Sequence, residues 1–358
     1  MSVLLRFLAT GDLQAHEWKQ FATVTPEGMN SRLHNILSVF DVISKEAKNR
    51  GIKKLLINGD VFEENSYIST ETYDGVYHKL EKLHDEGIET VINLGNHDVV
   101  LHSPSRVLHA LRPFRKVATI FEKSGVAWSH VFLLPYRPEV EETKSCFATL
   151  AERDYGCVAA HIGVQGGTVG PREYLLRCPI KLKDLHPKRI KLILLSDFHK
   201  SQFLRKNVLY MGSPIQHTFG EVHRPKIWDV SLLSKPPWFK LRRIYTEFPT
   251  FRRIEVDRQK LLELKEKVRG KDFPLHNKYV RAIITSDKVR DEDLEELARV
   301  GKFLLQIHRK GQTDTGERSE IEALDARSLI GKYARENARG KVERKRLANL
   351  GTELYSGE

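Results

Sequence analysis

The most informative part of the sequence is GIETVINLGNHD, residues 87–98. It begins with a short apolar run that is typical of a buried strand. Three polar side chains follow directly, namely those of Asn96, His97 and Asp98. An amide, an imidazole and a carboxylate placed together at the end of a strand indicate a functional site rather than an ordinary turn.

Similar segments occur at the ends of other apolar runs. They are GDLQAH (11–16), NGD (58–60), AAHIG (159–163) and SDFH (196–199). Because ligands of α/β proteins gather at the carboxyl ends of strands, we expect all of these segments to share one rim. The polar residues that they contribute are Asp12, Gln14, His16, Asp60, His161, Asp197 and His199.

This set of residues predicts a metal centre. Carboxylate, amide oxygen and imidazole ligands together suit a divalent cation of borderline hardness such as Mn²⁺. Two such cations, about 3.5–4 Å apart, need one bridging carboxylate and can hold the attacking and leaving oxygens of a phosphodiester. A single Asp after a strand usually caps a turn, and a single His is usually a satisfied polar residue. Only the ordered set indicates metal binding.

Strands and helices alternate along the first part of the chain. This alternation predicts an α/β layered fold. Pro236 and Pro237 predict a domain boundary, and the pattern β-α-β-α-β at 251–310 predicts a small α+β unit beyond it. Predicted strands lie at 4–10, 53–59, 87–95, 130–136, 157–163, 191–197 and 207–213, and predicted helices at 29–51 and 71–86.

Composition narrows the class of protein. The chain has 358 residues and a formal net charge of +12, and a basic protein often binds nucleic acid, although a solubilising surface is the alternative. Three cysteines without CxxC spacing indicate a reducing compartment. No apolar run reaches the roughly 18 residues of a membrane span, and the first residues do not resemble a signal peptide. We therefore expect a cytoplasmic protein that is not secreted and has no membrane partner.

The ordered set GD…GD…GNHD…H…DxH resembles the calcineurin-like metallophosphoesterase superfamily. Within it, SPSRVLHALRP (103–113) and VLYMGSPIQHTFGE (208–221) resemble the SbcD-type nuclease subunit of the SbcCD double-strand-break repair complex, in a compact phage-like version. The resemblance implies a four-layer β-sandwich flanked by helices over 1–235 and a DNA-capping α+β domain over 245–312. It also implies a basic helical tail over 318–358 that binds an SbcC-type ATPase, a homodimer, and a location near the nucleoid.

The same resemblance assigns roles to residues of this chain. It implies two divalent ions, Mn²⁺ with Mg²⁺ as the alternative. His97 would be the general acid or a transition-state stabiliser near the scissile phosphate, and Asp98 would orient it by a hydrogen bond. The first ion would be held by Asp12, Gln14, Asp60 and His199, and the second by Asp60, Asn96, His161 and Asp197.

The chain departs from the family pattern at three places. Relatives have His at the positions of Gln14 and Asp197, and many have His near Glu63. Gln14 offers a weaker oxygen ligand, so His16 is a candidate substitute if the chain there stays extended. Asp197 adds negative charge, which should favour a hard cation.

The predicted activity is hydrolysis of DNA phosphodiesters, by an exonuclease or endonuclease, in repair or recombination. Two alternatives stay open: a phosphatase or cyclic-nucleotide phosphodiesterase with the same metals, and a non-catalytic DNA-binding scaffold with a degenerate site. The tail is open to three interpretations, which are a self-packed helix, a dock for the ATPase and a DNA contact. The basic residues expected to follow phosphates outside the metal rim, each of which could also be solvated surface, are Arg32, Lys200, Arg205, Lys206 and Arg224.

Overall fold

The computed structural model of the protein describes residues 2–102, 106–170, 173–176, 178–268, 270 and 273–309. The chain divides into two units, Met1–Lys310 and Gly311–Glu358. The end of the predicted capping domain at 310–312 and the predicted tail at 318–358 lie outside the described residues. Among the helices of the described ranges, none is both long enough and apolar enough to cross a bilayer.

The described chain contains mixed strands and helices. The helices are α1 (Ser31–Arg50), α2 (Thr70–Asp85), α3 (Val140–Leu150), α4 (Arg258–Lys267) and α5 (Asp291–Gly301), with short 3-10 helices at Arg112–Lys116 and Leu182–Leu185. The strands are β1 (Val3–Thr10), β2 (Lys54–Asn58), β3 (Glu89–Asn93), β4 (Val99–His102), β5 (Val107–His109), β6 (Thr119–Phe121), β7 (Gly125–Ala127), β8 (Val131–Leu134), β9 (Cys157–His161), β10 (Val164–Gln165), β11 (Thr168–Val169), β12 (Tyr174–Leu175), β13 (Ile180–Lys181), β14 (Ile193–Ser196), β15 (Gln202–Arg205), β16 (Val208–Tyr210), β17 (Lys226–Leu233), β18 (Phe239–Tyr245), β19 (Thr250–Val256), β20 (Lys278–Ile284) and β21 (Leu304–Arg309).

Two six-stranded sheets form the larger part of the structure. The first has the order β18-β17-β1-β2-β3-β6, and the second has the order β15-β16-β14-β9-β8-β7. An apolar core that includes Phe7, Leu56, Leu194, Leu209 and Trp228 lies between them. Burial of these side chains is the main favourable contribution to holding the sheets together.

Helices cover the outer faces of both sheets. α1 and α2 pack on the first sheet through a cluster that includes Leu33, Phe40 and Leu80, and α3 packs on the second through Phe147. α1 begins at Asn30, whose side chain accepts hydrogen bonds from the backbone N–H groups of the first turn, and it ends at Gly51 in the left-handed conformation. The predicted α/β class is confirmed.

Pro236 and Pro237 mark a turn rather than a domain boundary. They lie between β17 and β18, which pair along their whole length as an antiparallel hairpin. β18 is the edge strand of the first sheet, so this sheet continues beyond the predicted limit at residue 235. Proline cannot donate a hydrogen bond to a neighbouring strand, so it is common both in hairpin turns and in linkers between domains. The sequence alone therefore does not distinguish the two.

The third sheet belongs to a smaller layer of β19, β20 and β21. The predicted order β-α-β-α-β is present, and all three strands are parallel. α4 and α5 cover this sheet through an apolar cluster that includes Leu261, Leu297, Val280 and Ile284. Because parallel strands need crossover helices, the unit is a small α/β layer rather than the expected α+β arrangement.

Arg32 joins α1 to the small sheet. Its guanidinium donates to the backbone carbonyls of Gln20 and His217, at 2.8 Å and 2.9 Å, and lies 4.9 Å from the ring centroids of both Phe251 and Tyr279. The residue is only 2% exposed. A buried cation with these partners cannot also follow a DNA strand on the surface, so the expectation for Arg32 is corrected to a structural role.

Candidate metal centre

The carboxyl ends of the parallel strands in both large sheets lie close together at one rim of the sandwich. β1, β2 and β3 run in parallel in the first sheet, and β9 and β14 run in parallel in the second. Asp12, Asp60 and Asn96 follow strands of the first sheet, whereas His161 and Asp197 come from the second. Residues from the two sheets therefore converge above the sandwich, as the sequence predicted.

The backbone at this rim is not extended. Asp12, Gln14, Asp60 and Asp197 have φ angles of 53°, 45°, 53° and 98°. Such positive φ values are costly for residues with a side chain and are concentrated at functional sites. In an extended chain the side chains of His16 and Asp12 would point to the same side, but the turned backbone prevents this. The ring of His16 instead packs against that of Trp18, with 5.5 Å between the two ring centroids.

His161 is the centre of the group. Its Nε2 lies 2.9 Å from Asn96 Oδ1, 3.3 Å from Asp60 Oδ2 and 4.0 Å from Asp197 Oδ1. Its Nδ1 lies 2.9 Å from the backbone carbonyl of Asn58 and 3.9 Å from Asp12 Oδ1. Since the carbonyl can only accept, Nδ1 carries the proton of that hydrogen bond, and Nε2 is the atom left for the oxygen cluster.

The cluster is chemically suited to a cation. Ligand atoms of Asp12, Asp60 and His161 all lie within 4.8 Å of one another, and all three residues are buried. Asp12 Oδ2 is buried and has no hydrogen-bond partner among the described residues. Burial lowers the pKa of His161, but the Asp60 and Asp12 charges outweigh burial and raise it well above the usual value. A divalent cation would supply the positive charge that these carboxylates require.

His199 is held by a carboxylate that the predictions did not include. Its Nδ1 donates to Glu221 Oε1 at 2.8 Å, and Glu221 Oε2 accepts from the backbone N–H of His217. Burial opposes charge on both groups, but their attraction raises the pKa of His199 to about 10 and lowers that of Glu221 to about 2. A carboxylate that fixes one ring nitrogen leaves the other for a metal.

His97 has a different partner from the one expected. Its Nδ1 donates to the backbone carbonyl of Glu63 at 2.5 Å, and its backbone N–H donates to Asp60 Oδ1 at 3.0 Å. Asp98 accepts instead from the backbone N–H groups of Asp60, Val61 and Gly95, each at 2.9 Å. Asp98 therefore joins the loops after β2 and β3, and the expected hydrogen bond from Asp98 to the His97 ring is corrected to the Glu63 carbonyl.

Comparison with known proteins identifies the family to which the chain belongs. A family model described as calcineurin-like phosphoesterase matches residues 5–229, which is more than half of the chain. The chain belongs to this family. A search of curated proteins found no match. The family is one of metal-dependent phosphoester hydrolases, which agrees with the cluster of Asp12, Asp60 and His161.

The phosphoesterase centre opens into a cavity of about 560 Å³. Gln14, Asp60, His97, Asp197 and His199 line it together with Glu63 and Glu221. Glu63 Oε2 is buried and has no hydrogen-bond partner among the described residues. Glu63 and Glu221 were missed as site residues because neither directly follows a strand, although Glu63 comes three residues after Asp60 and Glu221 ends the FGE motif.

The predicted phosphate contacts lie in different places. Lys200 lines the cavity, where its Nζ forms an ion pair with Glu173 at 2.5 Å. Arg224 is exposed, and its guanidinium lies 3.7 Å from the Tyr245 ring centroid. Arg205 and Lys206 precede β16 and line a second cavity, of about 720 Å³, at the amino ends of β14 and β16. They lie at the opposite end of the sheet from the metal centre, so any phosphate that they contact is distant from the metal rim.

Glycines at the phosphoesterase centre allow the loops to approach closely. A Cβ on Gly95 would lie 2.1 Å from Asp60 Oδ1, and one on Gly59 would lie 2.1 Å from His161 Nδ1. Gly220, at the cavity rim, has only an ordinary contact of 3.4 Å at the same position. A methyl group is thus excluded at Gly95 but accepted at Gly220.

We expect the substitution Gly95→Ala to weaken Mn²⁺ binding by at least about tenfold, because Asp60 must move away from His161. Isothermal titration with Mn²⁺ measures this, and Gly220→Ala is the matched control. Urea denaturation reports whether the fold is retained. Unchanged Mn²⁺ affinity in Gly95→Ala would contradict the inferred role of Asp60 as a ligand.

His223 gives the protein a defined dependence of stability on acid. It is buried, and its Nε2 donates to the Ser213 carbonyl at 3.1 Å. Burial lowers the pKa of His223 to about 4, although the Glu221 charge opposes this. Because the unfolded chain binds the proton at a pKa of about 6.5, this contribution to stability is complete above that pH and is lost as the pH falls towards 4.

We expect His223→Gln to remove this part of the acid sensitivity. The difference in free energy of unfolding between the wild type and His223→Gln should be about 2 kcal/mol less favourable to the wild type at about pH 4.5 than at about pH 7.5. Urea denaturation of both proteins at each pH measures the difference. If the two proteins lose stability in parallel, His223 is not the titrating group.

Proposed function

We propose that the protein is a two-metal-dependent DNA nuclease, within the metal-dependent phosphoester hydrolases to which its family belongs. The observation that carries the proposal is the buried group of Asp12, Asp60 and His161, with Asp60 placed between residues of both sheets. Action on DNA is supported by the net charge of +12 and by the extra layer β19–β21, in which Phe251 packs against Phe219, the neighbour of the cavity-lining residues Thr218 and Gly220.

The chain offers two sets of ligands around Asp60. Asp12, Gln14 and His199 would complete one site, with Glu63 Oε2, which has no hydrogen-bond partner among the described residues, as a further candidate ligand. Asn96, His161 and Asp197 would complete the other site. When bound, divalent ions lower the pKa of water and stabilise negative charge on a phosphoryl group. Mn²⁺ suits these mixed nitrogen and oxygen ligands, with Mg²⁺ as the alternative.

His97 is the proposed general acid. The Glu63 carbonyl accepts from Nδ1 and so leaves Nε2 for a ligand in the cavity that His97 lines. Burial opposes charge on the ring, but the Asp60 carboxylate outweighs it and raises the pKa of His97 above its usual value. A protonated imidazole at this place can donate to the leaving oxygen of a phosphodiester.

The finer parts of the proposal concern partners. The GSP and FGE motifs support a nuclease that acts in DNA end processing with an SbcC-type ATPase, as a homodimer in the cytoplasm near the nucleoid. The layer β19–β21 is proposed to contact DNA beside the cavity, and the segment 318–358 to bind the ATPase.

A nuclease assay tests the proposal. Linear duplex and circular single-stranded DNA are incubated with Mn²⁺, Mg²⁺ or EDTA, using the wild type, His97→Ala and the exposed control His78→Ala. We expect cleavage that requires Mn²⁺, that His97→Ala abolishes and that His78→Ala retains. Hydrolysis of phosphomonoesters without DNA cleavage would favour a phosphatase, and protein that binds neither metal would favour a scaffold.

A further inference from the structure

One side of the sandwich is open between two edge strands. β15 is the edge of the second sheet and β18 is the edge of the first. Phe203 of β15 and Arg243 of β18 both contact Trp228, with 6.3 Å between ring centroids and 5.8 Å from guanidinium to ring. The two edges therefore face each other across a single indole ring. We call this surface, from Arg224 and Tyr245 to Arg205, the basic edge.

The basic edge carries positive charge without matching acids. Among the described residues, no carboxylate forms an ion pair with Arg205, Arg224, Lys226 or Arg243. Burial and repulsion by Arg243 and Arg224 lower the pKa of Lys226 to about 8. Cations this close together destabilise one another, and an anion bound among them would relieve that repulsion.

The basic edge also has a direction. Arg224 lies three residues beyond Glu221, which lines the active-site cavity, and Tyr245 pairs with Lys226 at that end. Arg205 lies at the other end, in the cavity that Trp238 and Lys206 also line. The seven residues of β18 span about 20 Å, which is long enough to contact several consecutive phosphates of one strand.

Aromatic rings occur between the cations. Phe203, Tyr245 and Trp238 are 45%, 38% and 36% exposed, so part of each ring is open to a ligand. Proteins that bind single-stranded nucleic acid combine a row of cations with rings on which bases stack. A flat anionic membrane would not need a narrow row, and an intact duplex does not present its base faces.

We propose that the basic edge binds a single strand of nucleic acid and extends from the active-site cavity to the Arg205 end. The proposal rests on the proposed nuclease function, because it treats the strand as part of the substrate. Arg205, Arg224 and Arg243 contact phosphates, and the exposed rings contact bases. Binding is therefore expected to be sensitive to salt and tolerant of sequence.

Binding without cleavage tests the proposal. Fluorescence anisotropy in EDTA compares a labelled oligothymidylate with a duplex of equal length. The test variant is Arg205→Gln, Arg224→Gln and Arg243→Gln combined. The control variant removes three exposed charges from the helical side of the first sheet, through Lys45→Gln, Lys48→Gln and Lys116→Gln. Both variants lose the same net charge.

We expect the test variant to bind the single strand about 100-fold more weakly at about 0.1 M salt, with a salt slope smaller by about 2, since each lost phosphate contact removes about 0.7. The control variant should bind like the wild type. Equal weakening by the two variants, no weakening, or a loss confined to the duplex would overturn the proposal.

A second assay separates this proposal from the nuclease function. Hydrolysis of a small chromogenic phosphodiester with Mn²⁺ should be unchanged in the test variant, because the small substrate reaches only the active-site cavity. If the wild type hydrolyses no phosphodiester but binds the single strand, and the test variant binds it more weakly, the nuclease function is refuted and the proposal for the basic edge is supported. If hydrolysis is normal and strand binding is unaffected, only the basic edge fails.

Discussion

Asp60→Ala is expected to lower the rate of Mn²⁺-dependent phosphodiester hydrolysis by at least about 1,000-fold, equivalent to about 4 kcal/mol of transition-state stabilisation. Asp60 is the proposed bridging carboxylate, because one of its oxygens lies within 4.8 Å of ligand atoms of both Asp12 and His161, which belong to different candidate sets. Its Oδ2 lies 3.3 Å from His161, and its Oδ1 accepts from the backbone of His97. Under the proposed function, loss of this side chain would remove a ligand from both ions and a hydrogen-bond acceptor from the loop that carries His97.

The measurement combines metal content with rate. The wild type should bind two Mn²⁺ per chain by titration, and Asp60→Ala fewer, while the exposed control Asp85→Ala should match the wild type in both respects. Asp60→Asn keeps the shape and one oxygen but lacks the charge, so it should have an intermediate metal affinity. Full metal binding and full activity in Asp60→Ala would rule out a bridging role.

Arg32→Met is expected to lower the free energy of unfolding by about 3 kcal/mol. The substitution leaves the carbonyls of Gln20 and His217 without their donors and removes the cation from beside the rings of Phe251 and Tyr279. Each lost hydrogen bond to a charged group costs about 1.5 kcal/mol or more, and a desolvated cation–π contact contributes about 2 kcal/mol, partly offset by the packing of methionine.

Urea denaturation measures this effect, with Lys45→Met as the control for an exposed cation. Arg32→Lys should recover only part of the loss, because an ammonium cannot donate to both carbonyls while stacking as a planar group. DNA affinity distinguishes the structural role from the role predicted from sequence. If Arg32→Met kept the stability of the wild type but lowered the salt dependence of DNA binding, the prediction that Arg32 contacts a DNA phosphate would be supported instead.

The sequence was informative where one short segment contains its own signal. GNHD follows a buried strand within twelve residues of chain, so both the strand and its polar end could be recognised together. The order of strands and helices in the first half was predictable for the same reason, because hydrophobic periodicity is local. The small layer β19–β21 was found through its alternation with α4 and α5.

The remaining features depend on distant residues. Arg32 is buried by Phe251 and Tyr279, which lie more than 200 positions along the chain, and no local pattern indicates such a partner. Asp98 was assigned to its neighbour His97, whereas its carboxylate accepts from the loop after β2. The prediction that His16 shares a side with Asp12 failed because positive φ angles at Asp12 and Gln14 turn the chain out of the extended conformation.

The open side of the sandwich has a consequence for the behaviour of the protein at high concentration. An edge strand offers unpaired N–H and C=O groups, and two such strands side by side could add strands from another molecule and start a growing aggregate. Lys240 and Arg242 on β18 are exposed and place repelling charges along that edge. Charge repulsion along β18 therefore opposes self-association of the protein. A polyanion bound to the basic edge would neutralise part of this charge and so favour self-association.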